Sequence, residues 1–207
     1  MVGTKSRRMA LARGSIPKFL LFVGPMFGGK TTRLLAALDR YRYQKKNILL
    51  FKPKVDKRYD ENSVTTHNGI KSPIATLVDN GEELLSKFHD LEKEKSVDIV
   101  AVDEAFMIPG CAEALEFIFK KRAKTVVVSS IQLDASGNPM PEIPGMMPLA
   151  TEMTVCPAVC FECGNDAYYT HKKSNQNHTG VEVGGSELYE SLCYYHFKAK
   201  KDFGNGN

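Results

Sequence analysis

The 207-residue sequence has no apolar run long enough to cross a lipid bilayer, which excludes a transmembrane helix and a membrane partner. It also lacks a strong charge imbalance, because a formal net charge of +4 is too small to indicate a nucleic-acid partner. Internal repeats and low-complexity tracts are absent as well. The composition that remains, with 43% hydrophobic and 25% charged residues, is that of an ordinary globular protein.

Acidic residues are missing from the first 38 positions, although several lysines and arginines occur there. An acid-free, Arg-rich start is typical either of an organelle transit peptide or of a solvated basic tail. Because the stretch before the first strand is short and barely amphipathic, we expect residues 1–16 to be a disordered basic tail. We expect the polar, Gly- and Asn-rich residues 199–207 to be a disordered tail too.

The five cysteines are an odd number, and no secretory signal accompanies them. This combination argues against a disulfide framework and favours either reduced thiols in a cytoplasmic protein or a metal site. Four of the five lie between positions 156 and 193. We expect Cys156 and Cys111 to be free thiols that act as small core residues.

The other three cysteines and one histidine have the spacing of a metal site. Cys160-x-x-Cys163 and Cys193-x-x-His196 form two ligand pairs, which is a strong zinc signal. Four protein ligands fill a tetrahedral Zn²⁺ and leave no position for water, so the predicted zinc is structural. It would join the two ends of residues 164–192.

A complete phosphate-binding loop of the form G-x-x-x-x-G-K-[ST] follows the apolar run 19–23. The loop consists of Gly24, Pro25, Met26, Phe27, Gly28, Gly29, Lys30 and Thr31. A strand before the loop and a helix after it direct backbone N–H groups at bound phosphates. Lys30 would neutralise phosphate oxygens, and the Thr31 hydroxyl would face Mg²⁺.

Strand-like and helix-like segments alternate through the first two thirds of the chain. The strand patterns are at 19–23, 48–51, 97–102 and 125–130, and the helix patterns are at 32–43, 82–95 and 111–122. This order predicts an α/β fold, a P-loop NTPase-like parallel sheet with helices on both faces, over residues 17–150. Residues 54–80 show little regular pattern. The Cys-, Tyr- and His-rich residues 151–198 predict a small zinc-stapled domain, because their composition cannot bury much core without a staple.

Two adjacent acids end the strand pattern at 97–102 and resemble a Walker B segment. Asp103 is suited to hold Mg²⁺ beside the phosphate loop. If the chain leaves the sheet there, Glu104 can serve another partner and accept a proton from an attacking hydroxyl. The competing interpretation is a strand that ends in surface acids.

The segment between the zinc ligand pairs contains Gly180, Gly184, Gly185 and Tyr189. Glycines let the backbone approach a ligand closely, and a tyrosine can stack or hydrogen-bond. A surface loop with an incidental tyrosine explains the same residues, and they alone do not decide between the two.

The chain resembles the type II thymidine kinase family over residues 17–198. The matching segments are GPMFGGKTTRLL at 24–35, KPKVDKRYDENSVTTHNG at 52–69, DEAF at 103–106, CFECGNDAYYT at 160–170 and VGGSELYESLCYYHF at 183–197. The resemblance implies a homotetrameric enzyme that uses ATP and Mg²⁺ to phosphorylate the 5′-hydroxyl of thymidine. It also implies that residues 164–192 form a zinc-anchored lasso around the nucleoside.

The resemblance also assigns residues. Glu104 falls on the general-base position, and Lys30 and Arg58 complete the implied catalytic set. Asp56 and Arg58 fall on phosphate-side positions, and Thr31 and Asp103 on the magnesium positions. The implied nucleoside contacts are Thr170, Gly180, Val181, Glu182, Val183, Gly184 and Tyr189.

Three positions near the implied base pocket depart from the family pattern. Met107, Ala135 and Met140 stand where the family has aromatic residues. Loss of aromatics removes stacking area, whereas methionine adds adaptable bulk. Either the replacements compensate one another, or the substrate is another pyrimidine deoxynucleoside such as deoxyuridine or 5-hydroxymethyl-deoxyuridine.

A third interpretation is a non-enzymatic module that binds nucleotides or nucleic acid. Against it, the zinc segment lacks the basic cluster with interleaved aromatics that single strands favour.

Overall fold

A computed structural model describes residues 16–56, 75–173 and 184–204 of the protein, and the side chains of 16–56, 75–173 and 184–201. The strands there are β1 (Phe19–Gly24), β2 (Ile48–Pro53), β3 (Ala75–Val78), β4 (Ile99–Val102), β5 (Thr125–Ile131), β6 (Glu152–Val155), β7 (Ala158–Val159), β8 (Asp166–Ala167), β9 (Tyr169–Lys172) and β10 (Tyr189–Leu192). The α-helices are α1 (Lys30–Tyr43), α2 (Gly81–Glu94), α3 (Cys111–Arg122), α4 (Ile143–Met146) and α5 (Tyr194–Gly204).

Six parallel strands form the central sheet in the order β3-β2-β4-β5-β1-β6. Strands β4, β5 and β1 are neighbours, so the residues that follow them meet at one edge of the sheet. Parallel strands buried on both faces read as continuous apolar runs, as the fully buried IVAV of β4 does.

Apolar layers cover both faces of the sheet. Helix α1 packs Leu34, Leu35 and Leu38 on one face. Helices α2 and α3 pack on the other face, where Phe88 and Leu115 are fully buried. The predicted α/β fold with a parallel sheet between two helical layers is therefore confirmed.

Two strands of the central sheet lie where the sequence did not indicate them. Strand β3 falls inside residues 54–80, which were expected to have little regular structure, because four residues are too few to show a clear periodicity. Strand β6 pairs with β1 and extends the sheet beyond the boundary predicted at residue 150. Three of its four side chains are exposed, as an edge strand allows, so no apolar run marks it.

Helix α5 corrects the prediction of a disordered tail at 199–207 as far as Gly204, where the helix ends, and residues 205–207 lie outside the described residues. Phe197 is buried, and Lys200 forms ion pairs with Glu162 (2.9 Å) and Glu190 (2.5 Å). These contacts join the helix to β10 and to the turn between β7 and β8. Most of the predicted basic tail at 1–16 lies outside the described residues.

The C-terminal part is built from two small antiparallel pairs, β7 with β8 and β9 with β10, and from helix α5. It has an apolar core of its own that includes Ala167, Leu192 and Phe197.

Over the ranges that the structure describes, every helix is too short or too polar to span a bilayer.

Candidate active site

The phosphate loop lies between β1 and α1, as predicted, and rests on the main chain of Cys156. A Cβ atom added to Gly24 would lie 2.2 Å from the Cys156 carbonyl oxygen, and one added to Gly28 would lie 2.5 Å from the same atom. Gly29, at the start of α1, has a φ of 71°, in the left-handed region that glycine favours. Two of the loop glycines are therefore required by close approach and one by backbone conformation.

Gly28→Ala is expected to destabilise the protein by about 3 kcal/mol, because a backbone oxygen cannot move aside as a flexible side chain can. The loop would have to shift, so nucleotide binding should weaken as well. Gly29→Ala is the matched control, since its added Cβ would meet nothing within 4 Å. Its cost should be the backbone strain alone, about 1 kcal/mol. Denaturant unfolding of both variants tests this, and equal stability losses would contradict it.

Lys30, Thr31 and Asp103 lie together at the carboxyl edge of the sheet. The Lys30 ammonium donates a 2.7 Å hydrogen bond to the Pro25 carbonyl, across the loop. The Thr31 hydroxyl donates to the Asp103 carboxylate at 2.9 Å. Both Lys30 and Asp103 are buried. A hydroxyl and a carboxylate in contact beside a phosphate loop are the oxygen ligands that Mg²⁺ prefers, so these residues fit that ion.

Ser129 is a residue of this site that sequence reasoning missed. Its hydroxyl donates to Asp103 Oδ1, and it accepts from the Glu104 backbone N–H at 3.5 Å. It lies in the neighbouring strand β5 and is fully buried. The signal was available, because Ser129-Ser130 places two hydroxyls at the carboxyl end of an otherwise apolar strand.

Glu104 leaves the sheet in a strained conformation. Its φ is 54° and its ψ is 46°, which is uncommon for a residue other than glycine, and a short 3₁₀ turn follows at Ala105–Met107. This bend separates two adjacent carboxylates, so Asp103 contacts Thr31 whereas Glu104 starts a different segment. The Glu104 side chain is half-buried.

Asp56 is buried just after β2, where its carboxylate lies 3.9 Å from the Lys52 ammonium. Strand β2 neighbours β4, so Asp56 is at the same edge of the sheet as Asp103. Arg58, its predicted companion, lies outside the described residues.

Three of the predicted nucleoside-binding residues share one apolar core. Met107, Met140 and Tyr189 pack against the same apolar core of the sheet domain. Thr170 contacts the phosphate loop, where its hydroxyl accepts the Met26 backbone N–H at 3.0 Å. Ala135 is half-buried in the turn between Leu133 and Pro139.

Gly184 begins the described part of the chain before β10, and an added Cβ there would lie 2.4 Å from a carbon of Leu188. Gly180, Val181, Glu182 and Val183 lie outside the described residues.

The predicted zinc ligands converge. Their donor atoms all lie within 4.8 Å of one another, with 3.2 Å from Cys193 Sγ to His196 Nδ1, 3.6 Å from Cys160 Sγ to the same nitrogen, and 3.9 Å from Cys163 Sγ to Cys193 Sγ. Tetrahedral Zn²⁺ with its usual bond lengths places such atoms about 3.5–3.8 Å apart. The donor set and its spacing therefore fit zinc.

The surroundings of Cys160 favour the thiolate that a metal needs. Burial raises the pKa of this thiol, but backbone N–H groups of Cys193, Cys163 and Glu162 outweigh that effect and bring the pKa to about 6. By contrast, burial raises the pKa of Cys111 and of Cys156. Both are buried and free, as predicted.

These features define the chain as an α/β protein of the P-loop class with an added Cys₃His cluster that could hold zinc. The family model described as "Thymidine kinase" matches residues 18–197. The chain therefore belongs to the thymidine kinase family.

Known relatives agree with that assignment. The thymidine kinase of Thermococcus kodakarensis is 31% identical over 182 residues, which cover 85% of this chain and 91% of that protein. That of Pyrobaculum aerophilum is 32% identical, with 86% and 97% covered, and that of Porphyromonas gingivalis is 34% identical, with 89% and 85% covered. Among solved structures, the genome packaging NTPase B204 from Sulfolobus turreted icosahedral virus 2 aligns over 68% of this chain and 74% of that chain, with a TM-score of 0.46 and 15% identity. That likeness is too remote to inform the site.

Proposed function

We propose that the protein is an ATP-dependent thymidine kinase, which transfers the γ-phosphoryl group of ATP to the 5′-hydroxyl of thymidine. The observation that carries this proposal is the convergence of Lys30, Thr31 and Asp103 at one edge of the sheet, with Glu104 beside them. Membership of the thymidine kinase family supports the same reaction.

The reaction needs a base, because the attacking hydroxyl must lose its proton. Glu104 accepts that proton as the 5′-oxygen bonds to the γ-phosphorus and the bond from that phosphorus to the β,γ-bridging oxygen breaks, which releases ADP. The loop amides and Lys30 hold the phosphates, so the protein acts mainly by positioning and by offsetting charge. Arg58 and Asp56 complete the phosphate side of the site.

Two metals belong to this proposal. Thr31 and Asp103 would hold Mg²⁺, which offsets negative charge on the phosphates when bound. Cys160, Cys163, Cys193 and His196 would hold a structural Zn²⁺ that fastens the lasso, residues 164–192. The nucleoside would lie between this lasso and the sheet domain, near Thr170 and Tyr189.

We also propose that the protein is a cytoplasmic homotetramer. Large apolar side chains such as Val159, Phe161 and Tyr195 are 70–80% exposed, which favours self-association. Free buried thiols and a thiolate metal site are typical of reducing compartments.

A substrate panel tests the reaction and its base preference. With radiolabelled ATP, kcat/KM should be highest for thymidine among thymidine, deoxyuridine, deoxycytidine and 5-hydroxymethyl-deoxyuridine. Met107, Ala135 and Met140 in place of aromatics favour the second candidate, a kinase for another or modified pyrimidine deoxynucleoside. A preference for 5-hydroxymethyl-deoxyuridine or deoxyuridine would establish that candidate. Salt-sensitive DNA binding without any phosphoryl transfer would favour a non-enzymatic module instead.

A further inference from the structure

The hairpin formed by β9 and β10 holds the phosphate loop at both main-chain polar groups of one residue, Met26, which belong to two successive peptide groups. The Met26 backbone N–H donates to Thr170 Oγ1 at 3.0 Å, and the Ser191 hydroxyl donates to the Met26 carbonyl at 2.7 Å. Thr170 and Ser191 are register partners on the two antiparallel strands, so their side chains lie together on one face of the hairpin. Both are buried, each about 4% exposed.

The opposite face of the hairpin packs against the metal site. Successive side chains on a strand alternate between faces, so Tyr169 and Leu192 point away from the phosphate loop. Leu192 is fully buried in the small apolar core that also contains Cys160 and Cys193. Tyr169 stacks on Phe197 of α5, one residue after the ligand His196, with 4.6 Å between the ring centroids.

The two peptide groups that the hairpin holds lie in the middle of the phosphate loop. Met26 follows Pro25, whose carbonyl accepts the hydrogen bond from the Lys30 ammonium. The Pro25 carbonyl shares a peptide group with the Met26 N–H, and the Met26 carbonyl shares the next one with the Phe27 N–H, so rotation of either group would move a polar atom of the phosphate loop. A buried carbonyl that loses its donor keeps the desolvation cost of its burial, with no hydrogen bond to offset that cost. The geometry therefore makes the two hydroxyls a restraint on the shape of the loop.

We propose that Ser191, together with Thr170, is a positioning residue that holds the phosphate loop in its nucleotide-binding conformation and couples it to the metal site. The proposal rests on the proposed function only in taking ATP as the ligand of the loop. It goes further because it assigns to the β9–β10 hairpin an effect on ATP binding. This effect is additional to the contact with the nucleoside that is proposed for the same hairpin.

The test is a calorimetric titration of the zinc-loaded protein with a non-hydrolysable ATP analogue in the presence of Mg²⁺, which measures the dissociation constant of the analogue. Ser191→Ala should raise the dissociation constant of the analogue about 3- to 10-fold, the usual effect of one lost hydrogen bond. Thr170→Val should act in the same direction, whereas Thr170→Ser, which keeps the hydroxyl, should bind as the wild type does. Zinc content is measured in each variant, so that metal loss is excluded as the cause.

Thr125→Val is the matched control. Thr125 is buried at the amino end of β5, where its hydroxyl accepts the Lys18 backbone N–H at 3.2 Å, far along the strand from the loop. Its loss should lower the melting temperature and leave the dissociation constant of the analogue unchanged.

Unchanged binding of the analogue by Ser191→Ala and Thr170→Val, with lower melting temperatures, would overturn the proposal, because the hydroxyls would then be structural only. If Ser191→Ala does not fold, the comparison of Thr170→Val with Thr170→Ser decides alone. Analogue binding does not depend on which nucleoside is phosphorylated, so failure of the thymidine assay would leave this result interpretable.

Discussion

Replacement of Glu104 by glutamine is expected to lower kcat by about 10²- to 10⁴-fold, which is the usual contribution of a positioned general base. Glutamine keeps the size of the side chain and its polar atoms but cannot accept the proton of the attacking hydroxyl. The Thr31 hydroxyl is held by Asp103 and not by Glu104, so the magnesium and phosphate contacts should persist. The dissociation constant for ATP should therefore change little.

Steady-state kinetics and ATP-analogue binding, measured on the same preparation, separate these two expectations. Glu116→Gln is a suitable control, because Glu116 is an exposed acid of α3 that pairs only with Lys120 in the part of the chain that the structure describes. It should leave kcat unchanged. A Glu104→Gln variant with normal turnover would rule out the assigned base, and a variant that no longer binds the analogue would show that Glu104 acts on the nucleotide instead.

Removal of the zinc is expected to weaken nucleoside binding strongly. The four predicted ligands bracket residues 164–192, so without the metal the two ends of that segment lose their link and substrate binding has to order more of it. Ordering a segment on binding costs about 2–5 kcal/mol, so the KM for the nucleoside should rise at least about tenfold. The phosphate loop has its own strand and helix, and the KM for ATP should rise by a smaller factor.

Cys193→Ser, or a chelator shown to strip the metal, provides the measurement, with zinc content and both KM values determined together. Cys111→Ala is the matched control, since it removes a free buried thiol in α3 that the metal site does not use. It should retain zinc and the nucleoside KM. A metal-free protein with unchanged nucleoside affinity would refute the proposal that zinc anchors residues 164–192 around the nucleoside.

The parts of this site that the sequence predicted are those whose residues are adjacent in the chain. The phosphate loop, the pair Asp103–Glu104 and the two ligand pairs each fit within a few residues, so their spacing alone predicts that the side chains of each group lie close together. Helix α3 was predicted to its last residue for a similar reason, because its apolar residues repeat locally.

The parts that the sequence did not predict depend on contacts between distant segments. Cys156 looked like a leftover thiol, yet its carbonyl supports two loop glycines. Nothing in the sequence marks Ser191, yet its hydroxyl holds Met26, 165 positions away in the chain. Residue identity carries no signal for contacts made by main-chain atoms or by a single hydroxyl, and strand β6 was missed because its side chains are mostly exposed.

The phosphate loop packs against residues that come much later in the chain, beginning with Cys156 directly after β6, and this has a consequence for biosynthesis. During translation, residues 24–31 leave the ribosome early, but the carbonyl against which they pack belongs to residue 156, and Thr170 and Ser191 come later still. Domains commonly fold from the N-terminus as they are synthesised. Here the nascent chain cannot complete its nucleotide pocket until nearly all of the polypeptide has emerged, so a fragment that ends at residue 150 should not retain ATP.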